Sequence, residues 1–286
     1  MIRLSIALVT RNRPESLDRC LASIRAQNLQ PFEVVISDDS NLDRAHETKD
    51  VANRWDCRYV AGPRRGLYAN RNHVALACEG THIRTVDDDH LFPANHLELC
   101  LEAVRSDPQS IWTTGELTFT GDKYDTAPFA GQLTVDGLAG AVKDINDNWA
   151  IADGSTIYPR EVFAQGHRMV EWFGYGSSYL EFGAYLYRHD FKSRCIPNAL
   201  VEHHPTEDSS LLTRSNTKKV IESRIYACIC YNVYFRPNWP MIARYVTPCL
   251  IRTGLAPDCL QSAMLSWERA KQRWLLTDES TLVISS

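Results

Sequence analysis

Several features that would place this chain in a common functional class are missing from it. There is no excess of basic residues, because 31 Lys and Arg stand against 35 Asp and Glu, giving a net charge of −4. Such a balance provides no positive field for nucleic acid. The nine cysteines are scattered without a CxxC pair, so neither a zinc knuckle nor a redox motif is indicated. We therefore expect reduced thiols in a cytoplasmic protein.

Glycine-rich loops and long apolar runs are missing as well. A dinucleotide-binding fold needs GxGxxG directly after its first strand, but residues 10–13 read Thr-Arg-Asn-Arg, which argues against a Rossmann dehydrogenase. The apolar-rich run at 225–235 is too short to span a bilayer. No signal peptide is visible, since the chain enters a predicted strand at once.

The first part of the chain alternates predicted strands with predicted helices. Its length of 286 residues suits one large domain, or one domain with an appendage. Apolar runs predict strands near 4–10, 32–37, 58–60 and 83–86, with one helix between the first two and another between the last two. This order is typical of a mainly parallel α/β sheet, in which ligands bind beyond the carboxyl ends of the strands.

Three consecutive carboxylates, Asp87, Asp88 and Asp89, follow the strand at 83–86. Because side chains alternate along a strand, we expect Asp87 and Asp89 on one side and Asp88 on the other. Two oxygen ligands facing one point suit Mg²⁺ or Mn²⁺. A solvated acidic turn is the alternative.

Four segments in the right order resemble glycosyltransferase family 2: residues 5–13, 35–40, 69–72 and 86–89. Further segments at 153–163, 173–186 and 197–203 are similar to the same family, so the resemblance covers roughly residues 3–205. It implies a GT-A fold, an αβα sandwich with a mainly parallel central sheet, here followed by a C-terminal helical extension. It also implies a nucleotide-sugar donor, most often a UDP-sugar, bound through Mn²⁺ or Mg²⁺.

The resemblance assigns roles residue by residue. It gives the metal to Asp87, Asp89 and His203, with His204 as the fallback. It implies nucleotide contacts by a larger set of residues around the first strands: Thr10, Arg11, Arg13, Asp38, Asp39, Arg71, Asp87 and Asp88. The alternative for Asp38 and Asp39 is that they cap a turn or helix.

Glycosyl transfer to a hydroxyl also needs a base, and a carboxylate is the usual one. The resemblance selects Glu181, with Asp153 in reserve, and implies direct displacement with inversion. The acidic pair usual in the family is replaced by Ser178 and Tyr179. A catalytically inactive nucleotide-sugar or glycan-binding relative is therefore an alternative, and a nucleotidyltransferase is a weaker one. For an active enzyme we expect hexosyl or N-acetylhexosaminyl transfer to a saccharide or small-molecule acceptor.

The remaining predictions concern organisation. We expect a catalytic domain at 1–205, a flexible linker or lid at 206–216 and a helical extension at 217–286, which prolines divide into short helices. The extension could cover the acceptor site or form a homodimer. Without a membrane segment or a basic amphipathic helix, a soluble acceptor is favoured.

Residues 121–148 are interpreted as an insertion or mobile loop. The aromatic residues before Glu181 could stack on a sugar or belong to the core: Trp172, Phe173 and Tyr175.

Overall fold

A computed structural model describes residues 1–205, 217–252 and 257–279. In chain order the strands are β1 (Leu4–Thr10), β2 (Glu33–Asp38), β3 (Arg58–Ala61), β4 (His82–Asp87), β5 (His90–Leu91), β6 (Ile111–Thr120), β7 (Lys123–Ala127), β8 (Gln132–Leu133), β9 (Ala139–Gly140), β10 (Thr156–Pro159) and β11 (Ser193–His203). The helices are α1 (Pro14–Arg25), α2 (Leu42–Arg54), α3 (Leu67–Ala77), α4 (His96–Ser106), α5 (Arg160–Ala164), α6 (Ser178–Arg188), α7 (Thr217–Ile229), α8 (Trp239–Arg252) and α9 (Pro257–Glu279). A π-helical segment, Cys230–Phe235, continues α7.

Within these ranges a nine-stranded sheet has the order β3-β2-β1-β4-β10-β6-β11-β5, with β7 paired to β6. The neighbours β3, β2, β1 and β4 are parallel, and so are β6 and β11. β10 lies antiparallel between β4 and β6 and joins the two parallel groups. The predicted mainly parallel sheet is confirmed.

Strand β1 shows why the sheet is covered on both faces. All seven of its residues are buried. Ile6 and Leu8 belong to one core cluster, together with Leu21 of α1. Ala7 and Val9 belong to a second cluster with α3. Because successive side chains point to opposite faces, helices on both sides produce the αβα arrangement.

The C-terminal helices pack against the α/β part of the chain in the same second cluster, which contains Phe182, Tyr226 and Trp274. The prediction of several short helices was wrong, because α8 has 14 residues and α9 has 23. Pro240 and Pro257 stand in the first turns of these helices, where a missing N–H costs little.

Helix α8 also corrects the expectation that the chain has no basic amphipathic helix. Its charged residues are Arg244 and Arg252, with no acidic residue among its 14. Val246 is buried, whereas Arg244 is exposed. None of the helices in the described ranges is long and apolar enough to cross a membrane.

Two predicted flexible segments have different outcomes. Residues 121–148 contain β7, β8 and β9, so part of this stretch extends the sheet as a β6–β7 hairpin. The predicted linker or lid at 206–216 lies outside the described residues.

Candidate functional site

The carboxyl ends of β1, β2 and β4 meet at one edge of the sheet, and the three carboxylates lie there. Asp88 is fully buried: it accepts a 2.6 Å hydrogen bond from the Thr10 hydroxyl, and it is also paired with Arg13. Burial raises the pKa of Asp88, and the Arg13 guanidinium opposes that rise. Asp88 therefore faces the protein interior and holds the first loop against β4.

Asp87 and Asp153 share one guanidinium. Arg71, which is 2% exposed, donates to both oxygens of Asp87 at 2.8 Å. Its Nε lies 3.1 Å from Asp153 Oδ1. Burial raises the pKa of Asp153 to about 6, although Arg71 opposes the shift. Arg71 was expected to meet the nucleobase; its contacts here are with the two carboxylates.

A second group of side chains comprises Asp89, His90 and His203, whose ligand atoms all lie within 4.8 Å of one another. His203 Nε2 is 3.7 Å from Asp89 Oδ2, which is also 3.0 Å from Arg13 Nη1. The antiparallel pairing of β5 with β11 sets His90 opposite His203. The structure thus joins two of the predicted ligands and adds His90, whereas Asp87 lies outside this group.

The two imidazoles are oriented by groups behind them. His90 Nδ1 donates to the Gly154 carbonyl oxygen at 3.2 Å, since a carbonyl can only accept. Its Nε2 lone pair is then available to a metal. His203 Nδ1 lies 2.7 Å from Glu116 Oε1. Although burial opposes it, the carboxylates of Asp89 and Glu116 raise the pKa of His203 to about 10.

One carboxylate oxygen and two imidazole nitrogens fit a borderline divalent cation such as Mn²⁺. Burial raises the pKa of Asp89, but His203, His90 and Arg13 outweigh that effect and lower it. Asp89 is therefore charged at neutral pH. The carboxylate of Glu116 behind His203 is the outer contact that metal-binding imidazoles normally have.

Gly154 lies against both Asp87 and His90, and its lack of a side chain allows them to approach each other. A Cβ at this position would lie 2.5 Å from Asp87 Oδ2 and 3.0 Å from His90 Cε1. Any side chain here would therefore push Asp87 or His90 out of place.

The predicted nucleotide residues at β1 and β2 also lie at this edge. Asp38 accepts from the Ser40 backbone N–H at 2.8 Å and from the Tyr59 hydroxyl at 3.0 Å. Asp39 Oδ1 accepts from the Arg64 N–H at 2.8 Å. Asp38 therefore caps the turn after β2, whereas Asp39 holds the loop at Arg64; the nucleotide contacts of both residues stay predictions. Arg11 is exposed at the start of the loop, close enough to Asp39 to oppose the rise in its pKa that burial causes.

Glu181 does not lie in this crevice. Its side chain is fully buried between α6 and the C-terminal helices, with Oε1 3.5 Å from Arg273 Nε. Burial raises the pKa of Glu181, and Arg273 opposes the shift. No acceptor can reach a carboxylate in this position, so the prediction of Glu181 as the base is not supported. The reserve candidate, Asp153, is in the site.

The aromatic residues before Glu181 and the fallback ligand His204 occupy different places in the structure. Phe173 is a core residue, whereas Trp172 is 38% exposed. Tyr175 lies near enough to Asp153 and Asp87 that these carboxylates add to the raised pKa caused by its burial. His204 contacts Glu202 at 3.1 Å and stacks on Phe119, so it is not part of the metal group.

Sequence comparison gives two matches. The family described as "Glycosyl transferase family 2" matches residues 5–165. Chondroitin synthase of Escherichia coli is 28% identical over 105 residues, which is 36% of this chain but only 15% of that relative. The match therefore spans a small part of the relative's length.

Structural comparison gives similar folds at low sequence identity. A crystal structure of GalNAc-T7 with UDP, GalNAc and Mn²⁺ has a TM-score of 0.68 at 14% identity, covering 98% of this chain and 58% of that one. S. aureus TarS 1-349 in complex with UDP-GlcNAc has a TM-score of 0.61 at 13% identity, covering 96% and 82%. TarS with UDP gives 0.58 at 14%, covering 88% and 74%.

Proposed function

Because this chain belongs to glycosyl transferase family 2 and has the GT-A fold, we propose that it transfers a sugar from a nucleotide diphosphate sugar to an acceptor hydroxyl. The observation that carries this proposal is the adjacency of a metal-binding group and a carboxylate base at one crevice. Asp89, His90 and His203 form the first, and Asp153 is the second. Asp87 and Arg71 lie between them.

Asp89, His90 Nε2 and His203 Nε2 would hold a divalent cation, and His203 would release its Nε2 proton on binding it. When bound, such a cation supplies Lewis-acid stabilisation of the charge that grows on the leaving diphosphate. Glu116 fixes the ring of His203 through its Nδ1, and Gly154 fixes the ring of His90. Asp87, held in place by Arg71, is assigned to the ribose and to the water shell of the cation.

Asp153 takes the proton of the attacking hydroxyl. Its raised pKa of about 6 makes it a stronger base than an ordinary Asp while leaving it ionised at neutral pH. The Asp153 side chain is 22% exposed although its Oδ1 is buried beside Arg71, so we assign proton transfer to its Oδ2. One base opposite the leaving group gives direct displacement, so we propose inversion at the anomeric carbon.

We propose a UDP-sugar as the donor. Support comes from the structural neighbours, which were solved with UDP, UDP-GlcNAc, or UDP with GalNAc and Mn²⁺. N-acetylhexosamine donors are therefore the first to test. The uridine is assigned to the β1 and β2 ends, near Thr10, Arg11 and Asp39. Arg13 would act on the phosphate side, next to Asp89.

For the acceptor we propose a saccharide, on the strength of the chondroitin synthase match. We place the reaction in the cytoplasm, since the seven cysteines described by the structure carry free thiols and a reducing compartment preserves them.

The deciding experiment is a thermal-shift screen of UDP, GDP and dTDP with and without Mn²⁺, followed by donor hydrolysis and transfer assays. We expect UDP with Mn²⁺ to raise the melting temperature, because a ligand that binds only the folded state stabilises it. Stabilisation by none of these nucleotides would contradict the proposal. Binding without hydrolysis or transfer for any donor would favour the inactive relative.

A further inference from the structure

The C-terminal helices expose large apolar side chains beside one another. Trp239, at the start of α8, is 57% exposed and lies 5.8 Å from the Trp267 ring of α9. Met264, one helical turn before Trp267, is 64% exposed, and Leu265 is 48% exposed. We call Trp239, Met264 and Trp267 the tryptophan patch, because Leu265 is two residues before Trp267 and so lies on another side of α9. Isolated exposed apolar residues are normal, but a group of three on two neighbouring helices, two of them tryptophans, marks an interaction surface.

The C-terminal part of the chain that carries this patch is also more basic than the rest. Residues 217–286 carry nine Lys and Arg against five Asp and Glu, a net charge of +4, whereas the whole chain carries −4. Arg236 just before α8, Arg244 within α8 and Lys271 one turn after Trp267 on α9 are exposed. The acidic Glu268 is also exposed on α9, so the surface is basic on balance rather than purely basic.

We propose that the tryptophan patch and its basic surroundings bind the surface of an anionic phospholipid membrane. Tryptophan rings are suited to the boundary between headgroups and acyl chains. A helix with apolar and basic faces lies in the plane of that boundary, bound by apolar burial and by attraction to anionic lipid. This surface belongs to α8 and α9, away from Asp89 and Asp153, so the proposal does not depend on the proposed function.

Charge decides between a membrane and a second copy of the chain. In a two-fold dimer the same patch meets itself, so one net positive surface would face another, and like charges oppose such a contact. An anionic membrane provides the opposite charge instead. The dimer predicted from the sequence is therefore the competing outcome of the test.

The test is co-sedimentation of the full chain with vesicles of phosphatidylglycerol and phosphatidylcholine in equal parts, and with phosphatidylcholine alone. We expect binding to the anionic vesicles only, and loss of most binding at roughly 1 M salt, where the Debye length falls to about 3 Å. The double variant Trp239→Ser with Met264→Ser should bind about tenfold more weakly, because it removes apolar burial. Arg244→Gln with Lys271→Gln should weaken binding and reduce its salt dependence.

Leu42→Ser is the matched control, because Leu42 is an apolar residue of α2, outside the patch, with 72% exposure; its binding should equal that of the unmodified chain. Circular dichroism and melting temperature should be unchanged in all variants, since every substituted side chain is on the surface. Failure of the unmodified chain to bind anionic vesicles would overturn the proposal. So would equal binding by the patch variant, or a dimer in light scattering that the patch variant dissociates.

Discussion

His90 donates the hydrogen on its Nδ1 to the carbonyl oxygen of Gly154, 3.2 Å away. This bond fixes the tautomer of the ring and leaves the Nε2 lone pair for a ligand. It also joins the proposed metal ligands to the loop that carries Asp153. The proposed metal group and the proposed base are thus connected through the neighbouring residues 153 and 154.

The acidic triplet provides a matched pair of substitutions. Asp89→Asn should weaken Mn²⁺ binding by about 100-fold or more, because it removes the charged ligand. Asp88→Asn should leave Mn²⁺ affinity within about threefold, because Asp88 is buried away from the metal group and burial already raises its pKa. Isothermal titration with Mn²⁺ measures both, and equal losses would refute the assignment.

Glu116 and Glu202 provide a second pair of substitutions. Glu116 contacts His203, the last residue of β11, and Glu202 contacts the next residue, His204. Glu116→Gln should lower Mn²⁺ affinity by about 10-fold to 100-fold, the usual effect of an outer contact to a metal-binding His. Glu202→Gln should have no effect, because His204 lies outside the metal group. Mn²⁺ electron paramagnetic resonance titration distinguishes them.

Asp153 should set the acidic limb of the pH profile. A base works only when deprotonated, so kcat/KM should rise as pH increases through about 6, the raised pKa of this carboxyl. Asp153→Asn should lower transfer by about 100-fold or more while UDP binding persists. A limb that remains near pH 6 in Asp153→Asn would assign the titration to another group.

Glu181 should matter for stability rather than for chemistry. Glu181→Gln removes the buried charge that faces Arg273, and removing one member of a buried pair costs about 3 kcal/mol of unfolding free energy. Urea denaturation measures this loss. The double change of Glu181→Met with Arg273→Met should cost less than either single change. Below its melting transition, Glu181→Gln should keep its kcat, and a selective loss of kcat would restore Glu181 as the base.

The part of the fold that the sequence predicted is the part with strong local signals. The apolar run of β1 and the acids after β4 identified the sheet and the crevice, since burial on both faces produces continuous apolar strands. Helix α2 was not predicted, because only Thr48, Val51 and Ala52 of its residues are buried, and so few give little periodicity. Helix α8 was not predicted as one helix, because its prolines, Pro240 and Pro248, were interpreted as breaks.

The site residues that were missed depend on distant pairings. His90 had a local signal, its position directly after the triplet, but its role comes from pairing with His203 more than 100 residues later. Glu116 had no local signal at all. The burial of Glu181 could not be predicted, because sequence likeness gave its helix but not the helices that pack over it, and the family match ends at residue 165.

The placement of β10 between β4 and β6 has a consequence for synthesis on the ribosome. Residues 156–159 must be available before either neighbouring strand gains its partner on that side. A nascent chain that has reached only the β6–β7 hairpin therefore carries open edges on β4 and on β6, and open edges favour association with other chains. About 160 residues is thus the shortest length at which β10 can join β4 to β6, and the edge of β6 that faces β11 stays open until residues 193–203 have been made.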